Sequence, residues 1–447
     1  MKMFSKLVCC VVILSLIGRG PRNKLFAQVP TPASKTSSAS TDAANRDGCR
    51  ALKLADELVT KLDLSHPLAA MLLVDIGQLE AKSGDLDAVR ELLRQLDQQK
   101  EFAQGIVARA KLKIALASGL AAINRLDQAE EVVRQIEDFQ ADERCVAFSE
   151  IAKQRAIQGD QAEATRFWKL AEESVANEKD VKQRRKSQGV MIRSLAEAGR
   201  IDEAKKRAAG MEARYDDRSG WGPVAERLVL QGDTATAEQI IKFRLPGANM
   251  ELYQLIAVVA PKGGFIEGRA ALHQMDDPAL AASACHLLAV AMARRGNRDM
   301  ATLQLKDSWS YMDIAKPDHE QSGRILLSSI DPTAALVSVK EALVICQEFE
   351  KKFPANLAAD AYRRLATHCP ADAKEDQIRF LEIAQTLSQN VRDPVDQIAC
   401  IQRIFRTRSA LLGEEPAIQA AEKLANGLNH GYALLGIAEG RLLPDKK

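Results

Sequence analysis

The chain has 447 residues, 46% hydrophobic and 27% charged, with 62 Lys and Arg against 60 Asp and Glu for a formal net charge of +2. That apolar content supplies a core and excludes wholesale disorder. The balanced charge lacks the concentrated basic excess of a nucleic-acid binder, and 4% aromatics argues against base- or sugar-stacking platforms.

Lys2 and Lys6 precede an apolar run from Leu7 to Gly18, and no acidic residue occurs before Asp42. A basic start followed by about 7–15 apolar residues is the form of a secretory signal, whereas a spanning helix needs about 20. Residues 1–27 are expected to be a signal peptide cut near Ala27, although Leu25 is not the small residue usual two positions earlier. Cys9 and Cys10 lie inside the apolar run, not after it, which argues against a lipoprotein. The expected product is exported, periplasmic or extracellular, with no stable membrane span. Loss of its five leading basic groups takes the net charge from +2 to −3. Residues 28–47, rich in Ser, Thr, Ala and Pro, read as a flexible linker.

From residue 48 onward, apolar residues recur at three and four positions, as in LADELVTKL and AEEVVRQI, and no period-two strand is found. A turn then repeats: GDLDAV at Gly84, NRLDQA at Asn124, GDQAEA at Gly159, GRIDEA at Gly199, GDTATA at Gly232, GGFIEGR around Gly264 and GNRDMA at Gly296. Eight residues before each turn stand Ile76, Leu116, Ile151, Met191, Val224, Ile256 and Leu288, each followed by a small residue in six of seven copies. Five residues after the turn come Val89, Ala129, Ala164, Ala204, Ala237, Arg269 and Ala301. Gly or Asn ends one helix in the left-handed region at low cost, and a small residue lets paired helices approach. One such hairpin cannot bury its own apolar face, so copies must stack.

Residues 48–315 are therefore read as seven helix hairpins, each with a first helix A and a second helix B. Residues 316–447 are read as continuing degenerate repeats. Asp331-Pro332 reads as a helix start with Pro at the first helical position. GYALLGIAEGRLL reads as a C-terminal capping helix.

The small residue of helix A, the Gly turn and the Ala five residues later resemble the tetratricopeptide (TPR) repeat over about residues 66–315. Phe148, Trp221 and Tyr253 match its aromatic near the start of helix A. Lys113 and Gln188 depart from it, and the spacing of 40 residues at two turns exceeds its period. The resemblance implies an all-α, right-handed solenoid of about 20 or more helices, with helix A lining a concave groove for peptide ligands. The polar residues placed there are Asp75, Gln78, Lys82, Glu150, Lys153, Arg193 and Glu226. Structurally, the same residues could serve only to bond neighbouring helices. The last two repeats place Val and Leu at these positions, so the groove is expected to close there.

No catalytic motif emerges. GGFIEGRA has the glycine spacing of a phosphate loop but offers Arg269 and Ala270 where Lys and Ser or Thr are needed. Six His and six scattered Cys outside the signal form no metal-ligand spacing, so neither metal nor cofactor is expected. Cys346, Cys369 and Cys400 lie on successive helices and are either buried thiols or disulfide partners. KQRRK at 182–186 reads as a solvated face or an acidic-partner patch. The expected function is an exported non-enzymatic scaffold that binds a protein or peptide. The alternative is an extracytoplasmic hydrolase or lyase on an α-helical scaffold.

Overall fold

The computed structural model describes residues 49–443 except 99–102, 138–140, 177–179, 212–216, 246–248, 316–318 and 425–426. The expected signal and linker lie outside the described residues. Among the described residues there are 22 helices and no strand. The all-α class follows directly from the three-and-four spacing of the apolar residues.

Contacts divide the described residues into two compact units, residues 49–228 joined by 422–443, and residues 229–421. The first begins with α1 (Arg50–Val59) and continues in hairpins: α2 (Pro67–Ser83) with α3 (Leu86–Asp97), α4 (Ala103–Ala122) with α5 (Leu126–Arg134), α6 (Ala141–Ile157) with α7 (Gln161–Val175), and α8 (Val181–Glu197) with α9 (Ile201–Gly210). The A helices α2, α4, α6 and α8 pack on one another in order. The next A helix, α10 (Asp217–Gln231), runs across the division between the units.

A residue in the left-handed region ends the first helix at each of the seven turns. Gly84 takes φ +91° and Asn124 takes φ +64°, ending their helices in the left-handed region. Asp85 then caps the next helix, its carboxylate accepting from the backbone N–H of Asp87 at 3.1 Å and of Ala88 at 2.9 Å. The Gly-Asp pair thus stops one helix and starts another within two residues. The residues five places after the turn, Val89, Ala129, Ala164, Ala204, Ala237 and Ala301, are all fully buried.

The second unit contains α11 (Thr234–Arg244), α12 (Asn249–Lys262) with α13 (Phe265–His273), α14 (Pro278–Arg294) with α15 (Arg298–Ala315), α16 (His319–Leu336) with α17 (Val339–Lys352), α18 (Ala355–His368) with α19 (Lys374–Gln389), and α20 (Pro394–Leu412) with α21 (Glu414–Ala421). Here α12, α14, α16, α18 and α20 form the row of A helices.

Three readings of the sequence need correction. The sixth turn is at Gly263, which takes φ +93°, while Gly264 is the N-cap of α13. The register therefore shifts by one, and buried Gly268, not Arg269, holds the small position. A Cβ on Gly268 would lie 2.8 Å from Leu288 Cδ2, so the two hairpins meet there without a side chain between them. Pro332 lies inside α16, not at a helix start. The helix continues through Pro332 to Leu336, and the working N-cap is Ser338, which accepts from the Glu341 N–H at 3.1 Å. The C-terminal helix α22 (Gly427–Leu442) packs against α1 and α2 in the first unit. It is buried almost all round, from Gly431 to Ala438, where a cap would keep one polar face.

Candidate functional site

The A-helix row of the first unit carries the expected polar residues. Ala152 and Ile151 on α6 are fully buried, which orients the adjoining Glu150 and Lys153 to the edge of that face. Lys153 Nζ lies 2.6 Å from Glu150 one turn away and 2.9 Å from Glu197 on α8. One turn before Glu197, Arg193 lies 3.2 Å from Glu226 on α10. The two pairs make one run of opposite charges across three successive A helices.

Lys153 is the anchor of this run, with its side chain only 8% exposed. Burial disfavours its charge, but Glu150 and Glu197 outweigh that cost and hold the ammonium above its ordinary pKa. Arg193 is 41% and Glu197 38% exposed, so a ligand can reach both. Arg227, one residue beyond Glu226, has its pKa lowered by burial despite Glu197, and its Nε has no hydrogen-bond partner among the described residues. Beneath the run, Trp168 Nε1 donates to Ser194 Oγ at 3.1 Å, and that hydroxyl donates to the Ser149 carbonyl at 2.6 Å. These bonds lock α6, α7 and α8 together and fix the positions of the charges above them.

Four of the seven expected residues, Glu150, Lys153, Arg193 and Glu226, thus come together. Asp75 and Gln78 are half-buried and Lys82 is exposed, all on α2, two A helices from α6. The partners of Lys153 and Arg193 all lie on α6, α8 and α10, so the run does not extend to α2. Glu197, which the seven selected positions omit, stands at the same place before its turn as Lys82 and joins the run through Lys153.

The opposite row of B helices carries its own pairing. Arg166 on α7 reaches Glu130 on α5 at 2.6 Å, Arg200 donates to Thr165 at 3.1 Å, and Arg207 on α9 pairs with Glu172 on α7. These are exposed or half-exposed pairs between neighbouring repeats, each worth well under about 1 kcal/mol.

In the second unit, the turn at Gly263 puts half-buried Gln254 and Ala257, not Leu255 and Val258, nine and six residues before it, and Leu287 and Val290 of the next repeat are half-buried as well. A different polar cluster occupies its A-helix row. Asp331 on α16 is 2.7 Å from Arg364 and 2.9 Å from His368 Nε2 on α18. Arg364 also lies 3.1 Å from Asp360, whose other oxygen is 2.6 Å from Arg363. Burial opposes the Asp331 charge, yet Arg364 and His368 bring its pKa down to about 2. Burial also opposes the Asp360 charge, and Arg363, Arg403 and Arg364 push its pKa far below the usual range. The spacing DAYRRLATH places Asp360, Arg364 and His368 on one face of α18. Reading Asp331-Pro332 as a helix start concealed their partner.

His286, wholly buried on α14, lies 2.7 Å from Ser328 Oγ through Nδ1 and 3.1 Å from Ser308 Oγ through Nε2. Its pKa falls to about 3 because burial disfavours the imidazolium. Cys346, Cys369 and Cys400 are buried thiols, not disulfide partners. Burial pushes the pKa of Cys369 and Cys400 up to about 11 and that of Cys346 higher still, so none supplies a thiolate near neutrality. Among the described residues, no group of three His, Cys, Asp or Glu is placed to hold a metal ion. Among the same residues, no helix is long and apolar enough to cross a membrane. No protein-family model and no curated protein matches the chain.

Proposed function

We propose that the chain is an exported, non-enzymatic TPR-like scaffold that binds a protein or peptide through the A-helix face of its first unit, a concave groove in that architecture. The observation that carries this reading is the run Glu150–Lys153–Glu197 and Arg193–Glu226. It sets charges of both signs, partly open to solvent, on three adjacent A helices over a rigid support. Such a face recognises a ligand of complementary charge pattern rather than a single small ion. The signal-like start of the sequence supports export, and a partner in the periplasm or outside the cell.

The test is capture from a cell-envelope extract with the mature chain as bait. Arg193→Glu should lose the captured partner, while Arg94→Glu on the exposed side of α3 should keep it. Equal capture by both variants would refute the groove.

A second reading, an enzyme, is favoured by one observation, the Asp331 carboxylate beside His368. Asp331 oxygens already serve Arg364 and His368, and its low pKa keeps it from acting as a general acid near neutrality. The scaffold reading needs neither residue.

A further inference from the structure

The C-terminal helix is held by contacts with the opposite end of the sequence. Tyr432, fully buried, donates its hydroxyl to the Leu68 carbonyl at 3.1 Å, across 364 positions. Gly431 sits so close to α2 that a Cβ there would lie 2.5 Å from Leu72 Cδ2 and 3.4 Å from Leu58 Cδ2 on α1. Leu435 and Ile437 are fully buried as well. Among the described residues, α22 packs chiefly against α1 and α2.

Contacts of this kind are indifferent to which copy of the chain supplies the helix. The intramolecular helix wins only by its effective concentration, on the order of millimolar for a tethered segment. An element that docks on a remote part of its own chain can be exchanged between two copies without any new contact. We infer that the α1–α2 groove is a helix-docking site specific for the chain's own C-terminal helix, and that it takes the α22 of a second copy once its own is released. The product is a reciprocally exchanged dimer.

Full-length protein held near 1 mM and warmed below its unfolding transition should, after cooling and dilution, show a dimer by light scattering that persists for hours. Gly431→Leu puts a side chain on α22 where Leu72 and Leu58 leave no room for it, so the helix no longer fits the groove. It should give no such dimer, and amide exchange should rise in residues 50–83 while residues 355–421 stay protected. Tyr432→Phe keeps the shape and loses one hydrogen bond. It should raise exchange in residues 50–83 about fivefold and form the dimer sooner. An equal dimer from Gly431→Leu, or none from the wild-type chain up to 1 mM, overturns the exchange. Unchanged protection of residues 50–83 in both variants overturns the docking site itself.

Discussion

Lys153 on α6 reaches 2.9 Å to Glu197 on α8, an ion pair that joins two successive A helices. Because Lys153 is nearly buried, its loss leaves two carboxylates facing each other without a cation. Breaking a buried pair by removing one partner costs roughly 3–5 kcal/mol, less where the partners are partly hydrated. Lys153→Ala should therefore destabilise by about 2 kcal/mol in urea unfolding, and Glu197→Gln by about 1 kcal/mol. No change for Lys153→Ala would remove it as the anchor of the face.

The turn account predicts a cost that is purely conformational. Gly84 takes φ +91° with open space where a Cβ would stand. Gly84→Ala should cost about 1–2 kcal/mol from backbone strain alone, measured as a lower urea midpoint with unchanged slope. A neutral result would mean that Gly84 is not needed to end α2.

Stability should fall in acid in two windows. His286 has a folded pKa of about 3 against an ordinary 6.5, so the unfolded chain binds its proton more readily. Its contribution is complete above about pH 6.5 and is lost as pH falls from there toward 3. Asp331 has a folded pKa of about 2 against 3.8, so its contribution disappears only below about pH 4. His286→Asn should flatten the stability profile between pH 6.5 and 4 and leave the lower window intact. An unaltered upper slope would mean that another group governs it.

The buried thiols give a direct chemical check. Cys145, Cys285, Cys346, Cys369 and Cys400 should react negligibly with a thiol reagent in the native protein and fully after unfolding without reductant. Missing thiols in the unfolded protein would reveal disulfides that the structure does not contain.

The repeat was legible because its signals are local. Gly closes one helix, Asp85, Asp160 and Asp233 cap the next at three of the turns, and the alanine five residues after the turn, as at Ala164 and Ala204, marks the close approach. At the sixth turn two adjacent glycines offered two registers, and only the φ of Gly263 decides between them. The pairing of Lys153 with Glu197 depends on the offset between α6 and α8, which spacing along one helix does not give. Pro332 looked like a helix start because its missing N–H suits that position, and only the helical backbone from His319 to Leu336 shows that it lies inside a helix. The docking of Tyr432 against Leu68 leaves no local trace, since nothing in either helix encodes a partner 364 positions away.

The most direct test of the groove is amide hydrogen exchange of the mature chain with and without its captured partner. Binding through the A-helix face predicts added protection in residues 146–157, 187–197 and 223–231. Protection confined to the B helices α5, α7 and α9, with those three segments unchanged, would contradict it.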